Sequence, residues 1–307
     1  MVNGPINITR FPTSIFGIAG YYTDYDRSQH VIAAGNDGNV YHVTWDPSEV
    51  APGYPPVDPL WHFEGRLQTI AGFFTPDDNY HHAVVGTSDH ELHEIWYKLG
   101  ELPRTNTTVL PYHSRFEPTK GMAGFYSSCD NLRNVVVVDG NGNPVDITWK
   151  ANHPTNSKTI TIPPNISQVA SISGFLSRDE NPNTLHIIVA RNDSGEIYDI
   201  DYSYDKPVPP TVGQNYVRTR FDEHLKNVTA FFSSDTNYRH IVVLTQLNWL
   251  KDHAYNTYGA NRPPTQLVHD ENVVDITSFY SARDQLCHVL YVTRDRYLYE
   301  ITYTSQG

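Results

Sequence analysis

The sequence predicts an all-β fold, a six-bladed β-propeller built from four-stranded antiparallel blades. Three observations favour it: a short segment recurs six times, a hairpin pattern follows each copy, and the composition suits strands and turns. The chain has 307 residues, with 21 tyrosines and 21 prolines but only 2 methionines. Aromatic residues are enriched in strands and proline is enriched in turns, so the composition agrees with the repeats.

The recurring segment combines an aliphatic residue, a small residue and an aromatic pair. It reads "IAGYYTDYD" in the first copy and "IAGFFTPDD" in the second. The six copies begin near residues 18, 70, 122, 172, 228 and 276. A period of about 50 residues is typical of propellers, so residues 1–307 are predicted to form a single domain.

A hairpin pattern follows each copy, as in "HVIAAGNDGNVYHVTW" from His30 and "HAVVGTSDHELHEIWY" from His82. Two β-branched runs joined by a short turn of the Asp-Gly type predict paired antiparallel strands. The first run of each pair is apolar on both faces, which indicates a sheet covered on both sides. A proline-bearing loop then leads to a short polar run, the predicted fourth strand of the blade.

The two ends of the chain predict that the ring is closed. The last copy ends at "EITYTSQG" without a fourth strand, and an orphan strand pattern, "NITRF" over residues 7–11, precedes the first copy. We expect this N-terminal strand to pair with the last blade, because closure removes exposed sheet edges. A pair of two-sheet sandwiches, the alternative fold, fits six equal repeats poorly.

Charge and composition exclude several classes of partner. There are 22 basic and 34 acidic residues, a net charge of −12, which lacks the basic footprint of nucleic-acid binding and is repelled by anionic membranes. No apolar run approaches the roughly 20 residues of a membrane span. The N-terminus lacks the pattern of a signal peptide, so we expect a cytoplasmic protein or one released without a classical signal. Cys129 and Cys287 are predicted to be free thiols.

The stretch "HELHE" from His90 to Glu94 looks at first like a zinc-protease helix. That motif needs two histidines four residues apart on one helical face, whereas here they are three apart in a turn and strand. We interpret His90 as a turn residue in the place of Gly38 of the first copy. The sequence therefore predicts no metal site, and no cofactor is expected.

A histidine and an acid recur together in four copies. The acid follows the strand-opening histidine by twelve residues, or by thirteen in the fourth copy, and an aromatic follows three residues later. The candidate ligand-binding residues are His82 with Glu94, His186 with Asp199, His240 with Asp252, His288 with Glu300, and the aromatics Tyr97, Tyr202 and Tyr303. The first copy (His30, His42) lacks the acid and the third (Asn134, Asp146) lacks the base, so both are expected to be weak or empty.

Whether the two polar side chains meet depends on the turn between the strands. A three-residue turn makes them diagonal neighbours on one face, roughly 7–8 Å apart, whereas an even-numbered turn puts them on opposite faces. Two interpretations then stay open. The pairs either fix the packing between blades or line clefts that bind a polyol, through carboxylate and imidazole hydrogen bonds and an aromatic face.

These motifs resemble the six-bladed fucose-binding lectins of the Aleuria type. In that family a basic residue opens a central strand, a glutamate follows twelve residues on, and an aromatic follows three further; the base and the glutamate bind the sugar, and an aromatic from the adjacent blade stacks on it. The family's base is arginine, and here it is histidine, which lacks the planar guanidinium fork. The resemblance therefore leaves the sugar open.

The function expected from these observations is multivalent carbohydrate binding, with glycans or glycoconjugates as partners and sugar sites in clefts between blades. Several weak sites on one rigid ring gain avidity on a dense glycan surface. A protein-interaction scaffold is the first alternative, because a fold does not fix a function. A propeller enzyme, a hydrolase or lyase, is the second, although no catalytic residues are assigned. A homodimer is a further open expectation.

Overall fold

The computed structural model of the protein describes residues 2–46, 54–101, 104–106, 121–127, 131–150, 156–159, 169–177, 184–191, 194–203, 216–256 and 261–305. All regular structure within these ranges is β-strand. In chain order the strands are β1 Ile6–Arg10, β2 Ile15–Thr23, β3 Ser28–Gly35, β4 Asn39–Trp45, β5 Asp58–His62, β6 Leu67–Thr75, β7 Tyr80–Thr87, β8 Leu92–Tyr97, β9 Arg104–Asn106, β10 Ala123–Ser127, β11 Leu132–Val138, β12 Pro144–Trp149, β13 Asn156–Thr159, β14 Val169–Ser177, β15 Thr184–Arg191, β16 Glu196–Ser203, β17 Tyr216–Arg220, β18 Leu225–Ser233, β19 Tyr238–Thr245, β20 Trp249–Asn256, β21 Thr265–His269, β22 Val273–Ser281, β23 Leu286–Thr293 and β24 Tyr297–Thr304.

The strands form six four-stranded antiparallel sheets, each a blade of the predicted propeller. The first five blades run consecutively from β2–β5 to β18–β21, and the sixth has the order β22-β23-β24-β1. The prediction that the N-terminal strand completes the last blade is confirmed, since Ile6 pairs with Glu300 and Arg10 pairs with Tyr297. The ring is thus closed by backbone hydrogen bonds between the two ends of the chain.

The recurring small residues lie where the innermost strands of neighbouring blades approach each other. A Cβ added to Gly20 would lie 2.9 Å from Thr277 Cγ2, and one added to Gly124 would lie 2.8 Å from the ring of Phe73. The inner strands surround a central cavity of about 720 Å³ that the repeated segments line. Small side chains are therefore required at this radius because larger ones would push the blades apart.

The hairpin turns between the second and third strands share a left-handed residue in all six blades, although the sequence of the fourth blade is one residue longer here. One residue of each turn has a positive φ: Gly38, His90, Gly142, Gly195, Asn248 and Arg296. In the second blade Thr87 N donates to Glu91 O over 3.0 Å, which encloses a three-residue turn. His90 lies in that turn, as predicted from its alignment with Gly38, and the structure shows that it is the left-handed residue, at φ +66°.

The apolar core is divided among the spaces between adjacent blades. One cluster joins Ile32 and Val40 of the first blade to Leu67, Ile70 and Val85 of the second. Each fully buried side chain of this size contributes about 1.5–3 kcal/mol of hydrophobic free energy, so the contacts between blades are a main source of stability.

Cys287 lies in this core as a free thiol, as predicted, whereas Cys129 lies outside the described residues. No helix in the described part of the chain is long and apolar enough to cross a membrane.

Candidate functional site

The register of the blades places each histidine and its acid on one face of the sheet. In the second blade His82 lies opposite Trp96 and Val84 lies opposite Glu94, so His82 and Glu94 are diagonal neighbours. The turn of the second blade has three residues, so its two polar side chains lie on the same face of the sheet. The distances from histidine Nδ1 to the nearer carboxylate oxygen are 2.8 Å for His82–Glu94, 3.0 Å for His186–Asp199, 2.9 Å for His240–Asp252 and 2.7 Å for His288–Glu300.

All four pairs are buried. The most exposed member is Glu300, with 6% of its surface accessible, and His82 and His186 have none. Part of the reason is an aromatic side chain on the first strand that covers the face of each imidazole. The ring centroids are 5.0 Å apart for Phe73–His82, 4.9 Å for Phe175–His186, 4.7 Å for Phe231–His240 and 5.1 Å for Phe279–His288.

The aromatic of the following blade completes two of these sites. Trp149 Nε1, from the third blade, lies 3.2 Å from both carboxylate oxygens of Glu94 in the second. The Tyr255 hydroxyl, from the fifth blade, donates to Asp199 Oδ2 in the fourth over 2.6 Å. In these two crevices the protein's own side chains occupy the acceptor sites that a sugar hydroxyl would use. This geometry is the one that the packing interpretation requires.

The predicted aromatics have different outcomes. Tyr97 lies in the crevice between the first and second blades, where it stacks on His81 with ring centroids 5.4 Å apart. It is not the aromatic residue that contacts Glu94. Tyr303 lies in the crevice between the fifth and sixth blades, with its ring 6.2 Å from that of His240. The backbone of Tyr202 pairs with Leu185, but its side chain lies outside the described residues.

Trp149 and Tyr255 were missed as site residues, although both occupy the register position of Tyr97 and Tyr303. The signal that could have found them is the one-blade offset between acid and aromatic. That offset is a feature of the family that the sequence resembles.

Two of the buried histidines are held as cations. Burial alone would lower the pKa of His288, but the Asp284 and Glu300 carboxylates outweigh it and raise the pKa to about 9. Burial also opposes the charge of His186, yet Asp199 and Asp201 raise its pKa to about 9. Both imidazoles are therefore protonated at neutral pH and form buried ion pairs within their blades.

The crevice between the fifth and sixth blades leaves polar atoms of its histidine, its acid and its aromatic residue unpaired. His240 Nδ1 binds Asp252 Oδ2, but His240 Nε2, Asp252 Oδ1 and the Tyr303 hydroxyl have no hydrogen-bond partner among the described residues. These residues border a cavity of about 20 Å³, enough for one water molecule. Burial raises the pKa of Tyr303 well above its usual value, and the Asp252 charge adds to the rise.

An arginine borders the same cavity. Arg262 Nη1 donates to the Ser305 carbonyl over 2.8 Å, and its guanidinium lies 3.9 Å from the centroid of the Tyr238 ring. Arg262 is half-buried and lines the cavity together with Asp252 and Tyr303. The crevice therefore combines a guanidinium, an imidazole, a carboxylate and a phenol, and the arginine comes from the segment that follows the repeated hairpin of the fifth copy.

A second, more open groove lies between the sixth and first blades. It has a volume of about 440 Å³ and is lined by Tyr22, Asp24, Arg27, Ala282 and Arg283. A volume in this range suits a small ligand. Arg283 Nη1 donates to the Arg27 carbonyl over 2.7 Å, which fixes one wall of the groove.

No family model and no curated protein matches this chain. Solved structures do match its fold. The fucose-specific lectin of Aleuria aurantia is 13% identical, with a TM-score of 0.65 over 96% of this chain and 93% of that one. A lectin from Burkholderia pseudomallei is 14% identical, with a TM-score of 0.65 over 94% of this chain and 81% of that one. The AofleA protein of Arthrobotrys oligospora is 13% identical, with a TM-score of 0.66 over 98% of this chain and 87% of that one.

Proposed function

We propose that this protein, whose fold is that of the six-bladed propeller lectins, is a carbohydrate-binding protein with its sugar sites in crevices between blades. The observation that carries the proposal is the crevice between the fifth and sixth blades. There the acid of one blade and the aromatic of the next come together with polar atoms left over. The structural neighbours support the ligand class, since those named above include a fucose-specific lectin and a second lectin.

The chemistry of this crevice suits a polyol. Asp252 Oδ1 accepts a hydrogen bond from a sugar hydroxyl, and Tyr303 either donates or accepts one. His240 Nε2 is a further ring nitrogen in the same crevice that can form a hydrogen bond with a sugar hydroxyl. Arg262 supplies a planar guanidinium donor, which histidine lacks. A water-sized cavity is smaller than a sugar ring, so binding requires Arg262 to leave the Ser305 carbonyl and turn outward.

The crevices do not contribute equally to this function. Glu94 and Asp199 are already satisfied by Trp149 and Tyr255, so we assign the crevices that follow the second and fourth blades to packing. The groove between the sixth and first blades offers Tyr22, Asp24, Arg27 and Arg283 at its surface and is the second proposed sugar site. Two sites on one rigid ring retain the multivalency that the repeats suggest.

A glycan array tests the proposal. The labelled protein is applied to the array, and bound signal is competed with free monosaccharides, L-fucose among them. We expect binding that a free sugar inhibits. An array without any sugar-inhibited signal would show that the proposed function is wrong.

Tyrosine variants test the place of the site. Tyr303→Phe removes one ligand hydroxyl in the proposed crevice, and Tyr97→Phe removes a hydroxyl at the same register position in another crevice. We expect weaker glycan binding from Tyr303→Phe and no change from Tyr97→Phe. Equal effects of the two variants would place the sugar elsewhere on the protein.

A further inference from the structure

The crevice between the first and second blades is the one in which histidines replace the repeated acid. His42 occupies the acid position of the first blade, and its Nε2 lies 3.0 Å from His30 Nδ1. His81 enters from the second blade, with its ring centroid 4.6 Å from that of His30. His30, His42 and His81 are all buried, and Asp26 lies beside them in the turn that precedes β3.

Three ligand atoms converge in this crevice from two different blades. His30 Nε2 lies 3.1 Å from Asp26 Oδ2, and His81 Nε2 lies 4.0 Å from the same oxygen. All three atoms lie within 4.8 Å of one another. A tetrahedral zinc ion with bonds of about 2.0–2.2 Å needs donor atoms about 3.3 Å apart, so side-chain shifts of about an ångström close the set.

The two oxygens of Asp26 are engaged differently. Oδ1 accepts from the Thr23 hydroxyl over 3.1 Å and from the Ser28 backbone N–H over 3.2 Å, which holds the carboxylate in its turn, and it also accepts from His30 Nε2–H over 3.2 Å. Oδ2 is buried and has no hydrogen-bond partner among the described residues. The turn therefore fixes the carboxylate through one oxygen and aims the other at the two imidazoles.

The outward nitrogen of each imidazole has a partner that can accept its proton. His30 Nδ1 faces His42 Nε2, and His81 Nδ1 lies 3.1 Å from the Tyr21 hydroxyl. Metal binding would displace the proton that His30 Nε2 donates to Asp26, and with the remaining protons on Nδ1 both Nε2 lone pairs would point to the centre of the cluster. Metal-binding histidines are held in this way by second partners that fix the tautomer and the ring orientation.

We propose that Asp26, His30 and His81 form a binding site for a divalent transition-metal ion such as Zn²⁺. Two imidazoles and one carboxylate are ligands that zinc prefers, whereas Mg²⁺ and Ca²⁺ prefer oxygen ligands alone. The Asp26 side chain is 16% exposed and provides access from solvent and a place for a fourth ligand.

The crevice between the second and third blades has an arginine side chain at the position that corresponds to the proposed metal site. Asp78 of the second blade corresponds to Asp26, and Arg133 of the third blade corresponds to His81. The Arg133 guanidinium forms an ion pair with Asp78 Oδ2, so a fixed side-chain cation joins those two blades. Between the first and second blades His81 stands in the place of that arginine, and the metal ion would supply the positive charge that joins the two blades.

The other candidate cluster, His186 with Asp199 and Asp201, is built differently. Both carboxylates lie against the same atom, His186 Nδ1, at 3.0 and 2.8 Å. Asp199 also accepts a hydrogen bond from Tyr255. This is a hydrogen-bonded ion pair rather than a set of separate ligands, so it carries no metal proposal.

Calorimetric titration of the full-length, chelator-treated protein with Zn²⁺ tests the site, with Co²⁺ absorption as a measure of the coordination geometry. We expect one ion per chain and a tetrahedral or five-coordinate Co²⁺ spectrum. Asp26→Asn and His81→Arg are expected to lower the affinity at least 100-fold. His81→Arg should still fold, because it recreates the Asp78–Arg133 pair at this crevice.

The matched control is His93→Gln, because His93 Nε2 forms a pair with Glu91 Oε2 at 3.2 Å outside the cluster. This variant should bind Zn²⁺ as the original protein does. Zn²⁺ should raise the melting temperature of the original protein and of His93→Gln but not that of His81→Arg. The proposal is wrong if no ion binds, or if His81→Arg and Asp26→Asn bind it as tightly as the original protein.

Discussion

Trp149 Nε1 lies 3.2 Å from both carboxylate oxygens of Glu94, across the crevice between the third and second blades. With His82 on its other side, this carboxylate is surrounded by donors from two blades. Such a buried acid is stable only while its partners remain, because an unsatisfied charge in the interior costs several kcal/mol. This contact therefore stabilises the packing of the second blade against the third.

Trp149→Phe tests how much this contact between blades contributes to stability. Phenylalanine keeps an aromatic ring in the crevice but removes the donor, so we expect the free energy of unfolding to fall by about 1–3 kcal/mol. Chemical denaturation measures the difference. Tyr303→Phe is the matched control, since the Tyr303 hydroxyl has no hydrogen bond within 3.5 Å among the described residues, and its removal should cost less stability than the loss of the Trp149 donor. Equal losses in the two variants would contradict this role of Trp149.

Two carboxylates at the same register position should have different roles. Glu94→Gln is expected to lower stability while leaving glycan binding by the folded protein unchanged, because Glu94 is satisfied within the protein. Asp252→Asn is expected to weaken glycan binding at least tenfold while the protein stays folded, because Asp252 Oδ1 is the proposed acceptor for a sugar hydroxyl. Denaturation curves and glycan titrations on both variants measure the contrast. The reverse pattern would exchange the two assignments.

The stability of the protein should fall as the solution becomes alkaline. The folded-state pKa of His288 is raised from 6.5 to about 9, so its proton stabilises the folded state fully below pH 6.5, and this stabilisation is lost as the pH rises through about 9. The loss amounts to about 3 kcal/mol, and His186 adds a similar decrease. Unfolding curves between pH 6 and 10 measure it. His288→Gln should show a shallower decrease, and an unchanged slope would argue against a charged His288.

Asp275 should make the stability of the protein depend on pH between about pH 4 and pH 6. Burial raises its pKa from 3.8 to about 6, although Ile18 N donates to its Oδ2 over 2.7 Å across the closure of the ring. Between these two values the folded state binds more protons than the unfolded state, so stability decreases as the pH rises from about 4 to about 6. This contribution is about 3 kcal/mol.

Asp275→Asn removes that ionisation. Its difference in unfolding free energy from the original protein should therefore change with pH over this interval and level off above it. Denaturation at a series of pH values provides the comparison. A pH-independent difference between the two proteins would mean that Asp275 does not titrate in this range.

Most of the fold could be predicted from the sequence because each blade is a local unit. The small residue at Gly20 and its counterparts, the Asp-Gly turn before Asn39 and the β-branched strands recur at an almost constant period, and local strand pairing follows from them. The sequence suggested a turn of three residues, the case in which His82 and Glu94 share a face, but it left the register open. The orphan N-terminal strand identified the point of closure, since a propeller without it would leave an open edge.

The candidate site could be predicted only in part. The sequence grouped side chains by copy, whereas a crevice combines the acid of one blade with the aromatic of the next. Trp149 was therefore overlooked, and Tyr97 was associated with Glu94 although it lies beside His42. Arg262 lies in a variable loop outside the repeat, so no periodic pattern indicates its position beside Asp252.

By itself the sequence determined the number of blades, their strand order and the closure of the ring, because these depend on spacing along one hairpin or on the two chain ends. Only the tertiary structure decided which buried polar groups have hydrogen-bond partners and which do not. That outcome depends on contacts between blades about 50 residues apart, such as the contact of Trp149 in the third blade with Glu94 in the second. Burial and hydrogen bonding across a crevice are properties of two packed surfaces, and neither repeat encodes them alone.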